Sequence, residues 1–168
     1  MIQSFDDRRR ALLDELETLS AEDLEARARP DKWSILEIVE HLMIAERVVL
    51  GGAPPAATDL VERRRSLKDR CVYPLVLLVL RFPIPVKVPS RRMLPTGTMS
   101  LAEIRSQWDE NLRWLRSYTA GLDPEGHRRA VFLHPVAGPI TLPQALRMDR
   151  LHLDRHARQI RQIRQIRS

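Results

Sequence analysis

Three histidines offer the chemistry that this chain can do. His152 and His156 stand four residues apart near the C-terminus, and His41 lies far upstream in the run Trp33-Ser-Ile-Leu-Glu-Ile-Val-Glu-His41. On an α-helix, residues four apart share one face with Cβ atoms about 5–6 Å apart, so the pair can chelate one metal ion. If His41 supplies a third nitrogen, the site has three protein ligands and an open position, the ligand count of a catalytic metal centre.

Helices must bring these residues together, and their starts are legible. Ser34 with Glu37, Ser100 with Glu103, and Thr141 with Gln144 each place a hydroxyl three residues before a Glu or Gln, the capping-box arrangement. Trp33 and Ile38, Met99 and Ile104, and Ile140 and Ala145 sit where a hydrophobic staple would join them. Apolar periodicity then predicts four long helices: about Ile2 to Leu19, Ile35 to Leu50, Leu101 to Ala120, and Leu142 to near the end. Ser20 caps a short extra turn after the first.

This pattern predicts an all-α fold, a four-helix bundle forming a single domain over residues 1–168. No β pattern competes with it. A long Pro-rich connection, Gly52 to Thr98, joins the second and third long helices. It holds a charged helical piece over Asp59 to Arg70 and an apolar run from Tyr73 to Phe82; Pro83, Pro85, Pro89 and Pro95 then forbid regular structure. A connection of this length is expected to have a job, such as covering a pocket, or to be partly mobile.

Projection at about 100° per residue puts His152 and His156 inside the apolar arc of the last helix, between Ala145 and Ile160. Asp149 falls on the same face one turn earlier, where a carboxylate can orient an imidazole. His41 projects to the edge of its stripe, beside Ile38 and Ala45. Buried imidazoles need a hydrogen bond or a metal, and an HxxxH pair alone leaves both open. Asn111, between Trp108 and Leu115, can bond a ligand or satisfy a backbone carbonyl. His134, in a His-Pro-Val-Ala-Gly-Pro segment, reads as a turn residue before it reads as a fourth ligand. Cys71, beside Val72 and Leu75, reads as a packed thiol.

The net charge is +6, with 43% hydrophobic and 30% charged residues. That balance suits a folded chain and argues against wholesale disorder. Arginines occur in small clusters with acids nearby, which argues against a nucleic-acid partner and leaves only nonspecific charge attraction as a third functional class. The longest apolar stretch is far short of the roughly 20 residues that a spanning helix needs, so no membrane partner is expected. With no apolar segment after the charged N-terminus, a cytoplasmic location is the expectation.

The stretches Lys32-Trp-Ser-Ile-Leu-Glu-Ile-Val-Glu-His-Leu, His134-Pro-Val-Ala-Gly-Pro-Ile-Thr-Leu-Pro-Gln and His152-Leu-Asp-Arg-His156-Ala-Arg-Gln-Ile together resemble the DinB-like (DinB/YfiT) superfamily of metal-associated proteins. The resemblance runs in order over nearly the whole chain. It implies a four-helix bundle in which one His of the second helix and an HxxxH pair of the last hold a divalent metal, here His41, His152 and His156. Nickel, zinc and iron all accept such ligands. Relatives of this kind include thiol-dependent S-transferases, a mycothiol-dependent isomerase and metal-dependent hydrolases. The implied reaction joins a small-molecule substrate to a low-molecular-weight thiol or water. A non-catalytic metal-binding or dimerisation module, acting as a homodimer, is the alternative.

Overall fold

Apart from the first, which opens at Met1 without a side-chain cap, the α-helices among the described residues start at hydroxyl side chains. The computed structural model describes residues 1–53, 64–82, 84 and 87–167. Within it run α1 (Ile2–Glu17), α2 (Ala21–Leu24), α3 (Ile35–Leu50), α4 (Leu67–Arg81), α5 (Leu101–Ala120) and α6 (Leu142–Arg167). Reciprocal capping boxes open α3 at Ser34 and Glu37, and α5 at Ser100 and Glu103. At α6, Thr141 N donates to Gln144 Oε1 (3.0 Å) and Gln144 N donates to Thr141 Oγ1 (3.4 Å). Each pairing satisfies N-terminal donors that a helix otherwise leaves unmet.

A fourth box, Ser66 with Asp69, opens α4 inside the long connection. The connection is therefore partly regular: a single helix carries the last charged residues and most of the apolar run, and Pro74 sits within it. The expected charged piece from Asp59 falls partly outside the described residues, as do Pro83 and Pro85.

α4 packs along α6 through Tyr73, Val76, Leu77 and Leu80, which contact the core. Cys71 is exposed and not packed. The helical period explains this correction, because Cys71 projects about 160° from Tyr73 and shares the outward face with Leu75, Leu78 and Phe82.

A second difference is a two-stranded antiparallel hairpin, β1 (Phe132–His134) and β2 (Gly138–Ile140). Three residues per strand are too few to show a two-residue period, and Pro135, Gly138 and Pro139 read as loop. The hairpin forms because Phe132 and Ile140 pair across it and are both fully buried. Gly138 turns the chain at φ +66°, a left-handed conformation that glycine adopts without strain.

α3 lies against both α5 and α6, and α1 also touches both. Their contacts divide into two hydrophobic clusters. One holds Leu13, Leu16, Ile38, Ile104, Trp108, Leu153 and Ile160. The other holds Val49, Leu115, Phe132, Ile140, Ala145 and Met148. Along α3 and α6, His41, Glu46, Asp149 and His152 fall near the boundary between the clusters. No helix among the described residues is long and apolar enough to cross a membrane.

Candidate metal centre

His41 sits midway along α3, almost fully buried. Its Nδ1 lies 2.6 Å from the Met93 carbonyl. A carbonyl can only accept, so Nδ1 carries the proton and Nε2 presents a lone pair. The Trp33 ring packs beside the imidazole, with centroids 4.8 Å apart. Met93 closes a 3₁₀ turn, Arg91–Met93, near the end of the connection. That end is fastened by Glu40, whose carboxylate accepts from Thr96 N (2.8 Å), Thr96 Oγ1 (2.7 Å) and Gly97 N (2.9 Å). Consecutive residues of α3 thus hold the connection and use it to orient an imidazole.

On α6, His156 Nδ1 donates to Gln159 Oε1 (2.9 Å), which leaves its Nε2 as an acceptor too. His152 Nε2 lies 3.2 Å from His41 Nε2 and 3.1 Å from His156 Nε2. The nitrogens of all three residues fall within 4.8 Å of one another. Two lone pairs therefore point at one spot occupied by a third ring nitrogen. His152 Nε2 has at most one proton to share between them, so imidazoles alone leave an acceptor unmatched, whereas a cation satisfies all three.

Electrostatics agree with that donor set. Burial lowers the His41 pKa, partly offset by the Met93 carbonyl. Burial and then the neighbouring His41 push His156 down to about 3. His152 is lowered well below its ordinary value by burial, then by His156 and His41. All three are neutral near pH 7, the form that ligates metals.

The remaining candidates separate by position. Asp149 lines a cavity of about 10 Å³ together with His152, Glu46, Trp108, Phe5 and Leu42. Desolvation, then the neighbouring Glu46, raises its pKa well above the ordinary value. Asn111 stands beside Glu46, whose pKa it helps to lower, and ties α5 to α3: its Nδ2 donates to the Met43 carbonyl (3.1 Å), and its Oδ1 accepts from Arg47 Nε (3.2 Å). His134 closes the hairpin turn, its Nδ1 accepting from Val136 N (3.1 Å) and Ala137 N (3.0 Å). Its pKa is lowered to about 4 by burial.

Glu46 is the residue that sequence reasoning missed. It lies 4% exposed on α3, where its Oε2 accepts from Trp108 Nε1 (2.9 Å). Burial raises its pKa to about 7, against the lowering effects of the Trp108 bond and the Arg9 charge. Its signal was present in the sequence, because Glu46 falls four residues after Leu42 on the apolar stripe. A larger cavity of about 440 Å³ lies between α1 and α5, bordered by Arg10, Asp14, Arg105, Asp109, Arg113 and Arg116. Three of its arginines are already bonded to acids: Arg10 and Arg116 to Asp6, and Arg105 to Asp14.

A largely helical chain that converges three histidine nitrogens from two packed helices has the donor set of a metal-binding helical protein. Residues 4–160 match the family model of the DinB superfamily, and the chain belongs to that superfamily. Neither the curated proteins nor the solved structures gave a match.

Proposed function

We propose that the protein is a metal-dependent enzyme built as one DinB-like four-helix bundle, with His41, His152 and His156 holding a single divalent cation: nickel, zinc or iron. The supporting observation is the convergence of three neutral imidazoles, with His152 Nε2 lying 3.2 Å from His41 Nε2 and 3.1 Å from His156 Nε2. A cation held there supplies Lewis acidity that brings the pKa of a thiol or water toward neutrality.

The chain's own residues prepare for this. The Met93 carbonyl and Gln159 Oε1 fix the protons of His41 and His156 on Nδ1, and burial keeps all three rings neutral. The reaction we assign is S-transfer or hydrolysis on a small electrophile, with a low-molecular-weight thiol or water as nucleophile.

Elemental analysis of protein purified without a His tag tests the site. About one divalent metal per chain is expected, and His152→Ala or His156→Ala should abolish it. Metal at about 100 times its Kd stabilises by about 2.7 kcal/mol, which raises Tm by roughly 5–10 °C in a chain of this size, and a chelator should reverse the rise. Metal content unchanged by both substitutions refutes the assignment.

A second reading, a non-catalytic module that dimerises, is favoured by the outward apolar stripe of α4, where Leu75, Leu78 and Phe82 are 57%, 49% and 47% exposed. Stoichiometric metal with no turnover across thiol-transfer and hydrolysis panels, in a protein of dimeric mass, would select it.

A further inference from the structure

Each imidazole that ligates a metal normally gives its other N–H to an acceptor, which fixes the ring and raises its basicity. His41 has the Met93 carbonyl and His156 has Gln159. His152 Nδ1 has no such partner among the described residues, yet His152 borders the small cavity that also touches Glu46 and Asp149.

Glu46 itself is incompletely satisfied. Its Oε2 takes the Trp108 N–H, while its Oε1 is buried with no hydrogen bond among the described residues, although the Asn111 side chain acts on the carboxyl from α5. A buried carboxylate oxygen without a partner is costly and calls for a donor. The cavity volume, about 10 Å³, is at the lower limit for one water molecule, and polar groups from α3 and α6 line it. Glu46 with its unpaired oxygen, His152 with its unpaired ring nitrogen and a second acid therefore border one small cavity.

Charge argues the same way. Three neutral imidazoles leave a divalent cation with two uncompensated positive charges in a desolvated setting, which is expensive without a nearby anion. Glu46 and Asp149 are the two acids on the cavity beside His152.

We propose that Glu46 and Asp149 form a carboxyl pair that positions His152 through this cavity and supplies the buried negative charge of the metal site. The proposal rests on the three-histidine reading and adds to it. Glu46 and Asp149 are positioning residues acting through His152: Asp149 approaches from the same helix, and Glu46 is held in place by Trp108.

The test is Zn²⁺ affinity, measured by competition with a chromophoric chelator, on wild type, Glu46→Gln, Asp149→Asn, the double variant and His156→Ala. Glu46→Gln has the same shape and keeps an oxygen for the Trp108 N–H, so the metal-free variant should melt no lower than wild type. Its Zn²⁺ affinity should nonetheless fall about 10- to 100-fold at unchanged one-to-one stoichiometry, as should that of Asp149→Asn. The double variant should lose less than the product of the two losses, because both acids act through one ring. Zn²⁺ affinity of Glu46→Gln within twofold of wild type overturns the proposal, as does early unfolding of that variant without metal. The His156→Ala control separates the two claims: if wild type binds no stoichiometric Zn²⁺, or His156→Ala binds as well as wild type, the metal site itself fails.

Discussion

Replacing Glu46 by glutamine should remove one contribution to the pH dependence of stability. Glu46 has an ordinary pKa of 4.5 in the unfolded chain and about 7 in the fold, where burial disfavours its charge. The folded state therefore holds a proton that the unfolded state releases between those values, so this group's stabilisation is full below pH 4.5 and is lost as pH rises through 7. The gap corresponds to about 3 kcal/mol. The histidines act oppositely: their folded values are depressed, to about 4 for His134 and about 3 for His156, so their stabilisation is present above about pH 6.5 and is lost on acidification. A wild-type curve alone mixes the two trends. Urea denaturation in excess chelator, followed by tryptophan fluorescence from pH 4.5 to 8, should show wild type losing up to about 3 kcal/mol relative to Glu46→Gln across that range. Parallel curves would show that the carboxyl is not charged at a cost in the fold, and would refute the reasoning.

Two further outcomes test how the site's scaffold is held. Ser34→Ala removes the cap of the helix that carries His41 and should cost about 1 kcal/mol in a urea titration, since the Ser34 hydroxyl accepts from Glu37 N in a buried setting. Arg155→Ala should speed amide exchange around the end of α4 while leaving α3 and α5 unchanged, because Arg155 donates to the carbonyls of Val79 (2.7 Å), Phe82 (2.7 Å) and Ile84 (2.6 Å).

The sequence was most readable where chemistry is local. Ser34, Ser100 and Thr141 each announced a helix start, because a cap and its reciprocal Glu or Gln lie within one turn. The spacing of His152 and His156 was readable for the same reason. Convergence with His41 was not readable from spacing, since it depends on how α3 packs against α6, and the family resemblance supplied that expectation. The Met93 carbonyl was invisible because a backbone acceptor has no residue type. Glu46 was visible as a charge on an apolar stripe, but its partner Trp108 lies 62 positions away. The hairpin escaped because its prolines and three-residue strands read as loop, and the Ser66 box because its reciprocal residue is Asp69 in place of Glu or Gln.

The group that orients His41 belongs to the main chain. Every amino acid has a carbonyl, so substitution at position 93 leaves an acceptor in place as long as the turn keeps its course. The side chains of this turn can thus change while the imidazole keeps its tautomer. What cannot freely change is the tether, Glu40 and the Thr96–Gly97 amides it grips, because that grip places the turn. Freedom in the turn's side chains and a fixed imidazole can coexist because they are written in different parts of the same residues, side chain for one and backbone for the other.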